Sequence, residues 1–292
     1  MTAQNITVSF KWWLGVTLAL VLLAWIGIAT ATGSLQAQLV DAAKSGDPAL
    51  VKTLLTKGAN ANAQDEDGQT ALIEASFAGH LEVVAFLLAK GADINGRDDE
   101  GWTALIGAVP HGHTEVVKFL LDKGADINAK NKLGVTALEL AAKEGHTELA
   151  RFLLSKGANI HAKNAYGWTA LMLAAGQGHR DVVDLLLDKG AALNAKDNRH
   201  WTALMWAASE SQLEVAQILL DRGANVNHRD IYGETALMHA ASQGHGRVTR
   251  LLLDKGAAVN LRSADGWTAL KIAQEKKHKG IVKLLEVHGA KE

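Results

Sequence analysis

The stretch from Gly167 to Asp197, GWTALMLAAGQGHRDVVDLLLDKGAALNAKD, decides the fold of this chain. It contains two short apolar patterns at helical spacing, Leu171, Leu173 and Ala174 in the first and Val182, Val183, Leu186 and Leu187 in the second. Thr169 precedes the first pattern and can cap free backbone N–H groups. Gly190 follows the second pattern and can end a helix in the left-handed conformation. The stretch therefore predicts two antiparallel α-helices joined by a short turn.

The same stretch recurs every 33 residues without insertion. The triplet Thr-Ala-Leu begins at Thr70, Thr103, Thr136, Thr169, Thr202, Thr235 and Thr268. Lys/Arg-Gly-Ala begins at Lys57, Lys90, Lys123, Lys156, Lys189, Arg222 and Lys255. The histidine of Gly-His recurs at His80, His113, His146, His179, His245 and His278. Because one helix pair cannot bury its apolar faces alone, the pairs are expected to stack into an elongated all-α solenoid.

On these three markers the chain resembles the ankyrin-repeat family, with Ala where the family usually has Pro. The resemblance covers residues 65–292 as seven repeats, the last a polar C-terminal cap, and residues 33–64 as an N-terminal capping repeat. It implies an ankyrin-repeat solenoid of about eight helix-turn-helix repeats that binds another protein and is not an enzyme. The sixth repeat departs from the pattern, because His200 replaces the turn glycine and Ser211-Gln212 replaces Gly-His.

A short tail, residues 1–11, precedes an uncharged segment at residues 12–32, WWLGVTLALVLLAWIGIATAT. At 1.5 Å per residue, a helix of this length spans roughly 30 Å of hydrocarbon. The segment therefore predicts one N-terminal transmembrane helix. A cleaved signal peptide is the alternative, because Ala29-Thr30-Ala31 fits a cleavage site. Signal peptides usually have an apolar core of about 7 to 15 residues, so the longer segment favours a retained anchor.

If the helix is retained, two pairs of small residues can pack on a partner helix, Gly15 with Ala19 and Gly27 with Ala31. Lysines flank the segment on both sides, so the charge bias that orients a helix is nearly balanced. Lys11 next to the apolar run favours an inside N-terminus, with the repeats on the periplasmic or extracytoplasmic side. Signal cleavage would instead give a soluble periplasmic protein, resembling exported bacterial ankyrin proteins associated with oxidative-stress defence.

The composition argues against several classes of function. The chain has 30 Lys and Arg against 31 Asp and Glu, so it lacks the overall positive charge that is typical of nucleic-acid binding. It contains no cysteine, which excludes disulfides and thiolate sites. Six of its histidines share one repeat position, roughly 9 to 10 Å apart if the helices stack normally. Zinc needs its ligands about 2 Å from one point. We therefore predict no catalytic residues, metal or cofactor, and expect these histidines to stabilise the turn between helices.

The loop tips carry the candidate binding site. In the ankyrin family, residues beside the turn glycine and before Gly-His face the partner and vary with it. Transferred by repeat position, this surface comprises Trp102, His111, Leu133, Val135, Tyr166, Trp168, Arg199, Trp201, Ile231, Tyr232 and Trp267, with Pro110 beside it. Exposed apolar stripes usually mark binding surfaces. The alternative is that each tryptophan packs against the neighbouring turn and serves the fold.

Overall fold

The computed structural model describes residues 35–66 and 68–291, and this part of the chain contains sixteen short helices. They form eight consecutive pairs: α1 Leu35–Ser45 and α2 Pro48–Thr56; α3 Ala71–Phe77 and α4 Leu81–Ala89; α5 Ala104–Gly107 and α6 Thr114–Asp122; α7 Ala137–Lys143 and α8 Thr147–Ser155; α9 Ala170–Gln177 and α10 Arg180–Asp188; α11 Ala203–Ser209 and α12 Leu213–Asp221; α13 Ala236–Gln243 and α14 Gly246–Asp254; α15 Ala269–Glu275 and α16 Lys279–Val287.

Successive pairs pack in register, so that first helices form one layer of the molecule and second helices form another. The core lies between the layers and is built from small and branched residues. Ala174 and Ala175 are fully buried in α9, and Val183 and Leu186 are fully buried in α10. Alanine at these positions lets neighbouring first helices approach closely. The predicted all-α solenoid is confirmed.

The predicted membrane helix at residues 12–32 lies outside the described residues, together with its small pairs Gly15/Ala19 and Gly27/Ala31. Within residues 35–66 and 68–291, no helix is long and apolar enough to cross a membrane. The N-terminal anchor therefore stays a prediction from the sequence.

The first helix of each repeat from α3 onwards begins at the threonine of Thr-Ala-Leu. In α9, the Thr169 hydroxyl accepts a hydrogen bond from the backbone N–H of Met172 at 3.4 Å. This satisfies one of the four N–H groups that have no partner within a helix. At Thr136 there is a second hydrogen bond, because the Glu139 carboxylate accepts the backbone N–H of Thr136 at 2.8 Å. The two bonds together form a capping box. The predicted helix starts are confirmed.

Histidines connect each repeat to the preceding one. The Nε2–H of His179 donates to the carbonyl of Lys143 at 2.7 Å, and the other five Gly-His histidines donate to the equivalent carbonyls. In the sixth repeat the Gln212 amide takes this role and donates to Gly176 at 3.1 Å. The expectation that these histidines stabilise the turn is therefore confirmed.

Two non-glycine residues of the sixth repeat adopt left-handed backbone. His200 and Ser211 both have φ of 61°, at positions where other repeats place glycine. Only glycine visits this region without a steric cost, and the cost for other residues is roughly 1 to 2 kcal/mol. The solenoid therefore imposes its turn geometry on the sixth repeat despite the altered sequence.

The loop tips are also joined from repeat to repeat. Within one tip, the N–H of Asp197 donates to the carbonyl of Trp201 at 3.0 Å and closes a tight turn. Between tips, Asn198 N–H donates to Tyr166 at 3.1 Å, and Ile231 N–H donates to Arg199 at 3.1 Å. We call this hydrogen-bonded row of turns the tip edge. Its side chains are consequently presented on a rigid backbone.

Candidate functional site

Buried carboxylates organise the tip edge. Asp197 accepts the backbone N–H groups of Arg199 and Trp201 through Oδ1, each at 2.8 Å. Its other oxygen, Oδ2, accepts the indole N–H of Trp168 from the preceding repeat at 3.2 Å. One aspartate therefore shapes its own turn and fixes the orientation of a neighbouring tryptophan.

The same connection occurs one repeat later. The indole N–H of Trp201 donates to Oδ2 of Asp230 at 3.0 Å. Asp230 also accepts the backbone N–H groups of Tyr232 and Glu234, each at 2.9 Å. Since hydrogen bonds to charged groups stabilise more than neutral ones, each of these indoles is firmly held. Trp168 and Trp201 thus connect three successive tips.

Five rings form a continuous aromatic cluster, comprising Tyr166, Trp168, Trp206, Trp201 and His239. Tyr166 and Trp168 have ring centroids 4.9 Å apart, and Trp168 meets Trp206 edge to face at 5.3 Å. Trp206 then contacts Trp201 at 4.9 Å, and Trp201 contacts His239 at 4.2 Å. These separations suit favourable aromatic pairing. The cluster extends from the tips onto the first helices α11 and α13.

Arg199 covers the middle of the aromatic cluster. Its guanidinium carbon lies 4.6 Å from the ring centroid of Trp201 and 5.3 Å from that of Trp206. A guanidinium over an indole face is attracted by the ring quadrupole and remains able to donate hydrogen bonds in its plane. Arg199 is therefore a positively charged side chain held over two tryptophan rings.

The eleven predicted surface residues are exposed, half-buried or buried, and the first two groups account for nine of them. Leu133, Tyr166, Ile231 and Tyr232 are exposed, at 39%, 43%, 49% and 56% of their full areas, and His111 is exposed as well. Trp102, Trp168, Arg199 and Trp267 are half-buried. For these nine residues the structure leaves area free for a partner.

The expectation of exposure is wrong at two positions. Trp201 retains 4% of its area and Val135 retains 2%. Trp201 is covered by Arg199, Trp206 and His239, and its indole N–H is already used by Asp230. Neither side chain can therefore form an open part of a binding surface, and Trp201 supports its exposed neighbours instead.

Comparison with known families gives a direct result. A three-copy model of ankyrin repeats matches residues 39–131 and 138–230, and a many-copy model matches residues 219–273. The chain belongs to the ankyrin-repeat family. Comparison with curated proteins gives no match. The ankyrin fold is generally a non-enzymatic interaction fold, and the repeats indicate a protein–protein interaction module.

Sequence reasoning missed two buried residues that support the ankyrin surface, Trp206 and His239. Both occupy the second position after Thr-Ala-Leu, where the other repeats have Glu74, Gly107, Leu140, Leu173 and Ile272. The signal was available, because this position changes from repeat to repeat while the triplet before it does not. The first helices α11 and α13 place this position beside the loop tips, so Trp206 and His239 join the aromatic cluster.

A buried polar network lies behind this part of the ankyrin array. The Nε2–H of His239 donates to Oδ2 of Asp230 at 3.1 Å, and Nδ1 of the same ring lies 3.8 Å from Oε2 of Glu234. Burial would raise the pKa of Asp230, but the hydrogen bond from His239 and those from the backbone hold it below its ordinary value. Burial, with the nearby charges of Asp230 and Asp265, raises the pKa of Glu234 despite the opposing influence of His239.

These three side chains bring their oxygen and nitrogen atoms within 4.8 Å of one another. One imidazole nitrogen lies 3.1 Å from Asp230 and the other lies 3.8 Å from Glu234, and one oxygen of each carboxylate lies within 4.8 Å of the other. The hydrogen bond to Asp230 fixes His239 against Trp201. The three side chains are also close enough together to be candidate ligands of one metal ion.

Proposed function

We propose that this chain is a non-enzymatic scaffold or accessory subunit that binds one partner protein through its tip edge. The observation that carries the proposal is the row of exposed apolar side chains on hydrogen-bonded neighbouring turns, comprising Leu133, Tyr166, Ile231 and Tyr232. Contiguous apolar side chains on a rigid surface are typical of a binding site. Arg199 and three members of the aromatic cluster, Tyr166, Trp168 and Trp201, lie within the same row of tips.

Two physical properties favour binding at this surface. Tyr and Arg are enriched among residues that contribute most to interfaces, and Tyr166 and Arg199 provide both types in adjacent repeats. The tips are already ordered by Asp197 and by backbone hydrogen bonds between repeats. Binding therefore costs little conformational entropy on this side of the interface.

The proposed location follows from the sequence of residues 12–32. A retained helix would anchor the array to a membrane and place the repeats on the periplasmic or extracytoplasmic side, where the partner is a membrane or periplasmic protein. Signal cleavage would release a soluble periplasmic protein with a stress-protective accessory role. In a third arrangement the helix itself is recognised, through Gly15, Ala19, Gly27 and Ala31.

Partner capture tests the binding surface. Tyr166→Ala with Tyr232→Ala should remove one specific protein from those recovered with the full-length chain from native membranes and identified by mass spectrometry. Leu50→Ala with Val287→Ala is the matched control, because both residues are exposed apolar side chains away from the tips. Identical recovery by the wild-type chain, the tip variant and the control would reject the proposed surface.

Two further measurements distinguish a retained anchor, a cleaved signal peptide and recognition through the helix. Sequencing the N-terminus of the native protein decides between anchor and signal peptide, since a mature chain that begins near Thr32 rules out the anchor. Replacing residues 12–32 by an unrelated membrane helix tests recognition through the helix. Only that arrangement predicts loss of assembly after the replacement, whereas binding through the tips predicts that the partner is retained.

A further inference from the structure

Six basic residues occupy one repeat position in the loops that lead to the tips. They are exposed and lie 33 residues apart, at Arg97, Lys130, Lys163, Lys196, Arg229 and Arg262. We call this row the basic ridge. It lies directly beside the proposed binding surface, because Lys163 is three residues before Tyr166 and Lys196 is three residues before Arg199.

The ridge side chains reach from one repeat to the next. Lys130 Nζ donates to the backbone carbonyl of Lys163 at 3.2 Å, and Lys163 Nζ donates to that of Lys196 at 2.6 Å. Arg97 makes the equivalent contact with Lys130, and Arg229 makes it with Arg262 at 2.6 Å. Four of the six cationic groups are therefore bonded to the next repeat in one register.

This connection between repeats does not require a positive charge. In the first tip loop, the neutral amide of Gln64 donates to the carbonyl of Arg97 at 3.0 Å and makes the same contact. An ammonium group has three donors and a guanidinium group has five, so one bond to a carbonyl leaves the others free. The fold thus explains a donor at this position but does not explain six consecutive cations.

Within residues 35–66 and 68–291, four of the six ridge cations have no carboxylate at ion-pair distance. Among the residues that the structure describes, no carboxylate lies within 4 Å of the cationic groups of Lys130, Lys163, Lys196 or Arg229. Asp197 and Asp230, the acids of the adjacent turns, are buried and accept backbone and indole N–H groups. These four residues therefore present positive charge at regular intervals. Among the carboxyl groups with a shifted pKa in the described part of the chain, only the buried Glu139 is electrostatically coupled to one of them, Lys130.

The interval matches one conformation of a peptide. Stacked helices lie about 8 to 10 Å apart, so we expect successive ridge residues to be separated by a similar distance. A polyproline II segment has three residues per turn and rises about 3.1 Å per residue, so every third side chain points the same way at about 9 Å intervals. A partner segment in this conformation can therefore place one carboxylate opposite each cation.

We propose that the basic ridge binds an extended acidic segment of the partner, in polyproline II conformation, with an acidic residue at every third position. This deepens the function proposed above and rests on it. The segment faces the ridge from Lys130 to Arg229, while Tyr166 and Trp168 offer aromatic surface of the kind on which such helices pack. Exposed acids at both ends of the array repel a polyanion and limit the segment to the repeats between them. They are Glu66, Asp99 and Glu100 at the first tips and Asp265 at the last.

A synthetic peptide tests this proposal with the full-length chain. The probe is fluorescently labelled (Glu-Pro-Pro)₆, and its binding is followed by fluorescence anisotropy at low and moderate salt. Lys130→Gln, Lys163→Gln and Lys196→Gln together remove three charges and keep the donor that Gln64 shows to be sufficient. Because exposed ion pairs contribute modestly, we expect the triple variant to bind about tenfold more weakly.

The matched control is Lys52→Gln, Lys57→Gln and Lys189→Gln, which removes three exposed charges away from the ridge. It should bind the probe like the wild-type chain. A second probe of the same composition with all glutamates in one block should bind more weakly, since its charges cannot match the interval. An unchanged affinity of the ridge variant, or equal affinity for both peptides, would overturn the proposal.

Two outcomes distinguish this proposal from a nucleic-acid site and from the proposed tip surface. Tighter binding of a single-stranded oligonucleotide than of the regular peptide would show that the ridge is a nucleic-acid site, and would also overturn the proposal. Failure of Tyr166→Ala with Tyr232→Ala to change partner capture rejects the proposed tip surface. That result is independent of the lysine variants, so the two failures can be distinguished.

Discussion

The indole N–H of Trp201 donates to Asp230 of the next repeat, and the same carboxylate oxygen accepts Nε2–H of His239. Trp201 thereby connects a loop tip to the first helix of the following repeat. Its position after the turn suggested an exposed aromatic contact for a partner. The structure places it underneath that contact, where it holds the aromatic cluster together.

Loss of this connection should cost stability. Trp201→Phe removes a buried donor from a charged acceptor, so we expect the free energy of unfolding to fall by about 2 kcal/mol. Trp168→Phe removes the equivalent bond to Asp197 from a half-buried side chain and should cost less. Urea unfolding followed by circular dichroism measures both variants. A smaller loss for Trp201→Phe than for Trp168→Phe would contradict this assignment.

Glutamine should replace histidine in the turn between helices. His179→Gln is expected to change the free energy of unfolding by less than about 0.5 kcal/mol, because Gln212 already makes the same bond in the next repeat. His179→Ala leaves the Lys143 carbonyl without this donor and should cost about 1 kcal/mol. Gln212→His is the reciprocal control and should be nearly neutral. If Gln and Ala at position 179 prove equally costly, the hydrogen bond is not what stabilises the turn.

Glycine substitutions should remove the steric cost of the two left-handed residues in the sixth repeat. His200→Gly and Ser211→Gly remove the steric cost at φ of 61°, while added freedom in the unfolded chain offsets part of the gain. We expect each variant to raise the free energy of unfolding by roughly 0.5 kcal/mol. His161→Gly, at an exposed histidine without positive φ, should lower it instead. Thermal unfolding of the three variants gives the signs directly, and a loss at position 200 would show that His200 contributes an interaction of its own.

Glu139 should make stability depend on pH. Burial raises the pKa of Glu139 despite its hydrogen bonds to Thr136, and its Oε1 has no hydrogen-bond partner within the described part of the chain. A raised carboxyl pKa favours the protonated form in the folded state, so stability is lost as pH rises from the ordinary carboxyl value through the folded one. Glu139→Gln removes this loss and keeps a capping-box side chain.

The Gln variant should therefore be more stable than the wild-type chain near neutral pH, and the difference should shrink as pH falls toward about 4. Unfolding in urea at several pH values measures the difference. Glu82→Gln, at an exposed glutamate, is the control and should show no comparable trend. A difference for Glu139→Gln that grows on acidification would contradict the expected direction.

The repeating pattern predicted much of this molecule because the decisive interactions are local or recur in every repeat. Thr169 caps the helix that starts beside it, Gly190 adopts the left-handed conformation at φ of 89°, and Ala174 is buried where close helix contact was expected. The histidine bonds were predictable for the same reason. A constant spacing places each ring beside the same carbonyl of the preceding repeat.

The candidate site was only partly predictable. Tyr166 and Tyr232 are exposed as expected, whereas Val135 and Trp201 are buried. All four lie on the tips, and repeat position alone does not say which tip side chains a neighbouring repeat covers. Trp206 was missed because it lies on a first helix, outside the positions that were transferred from the family.

The sequence by itself determined the helix pairs, their period and their stacking, since a repeated amphipathic unit has one way to bury its apolar faces. Tertiary structure alone decided which tip residues remain open. Arg199 lies over Trp201, and Asp230 takes the indole N–H, only because consecutive repeats bring these side chains together. Exposure depends on contacts across repeats between residues that vary, and a pattern built from residues that do not vary carries no information about them.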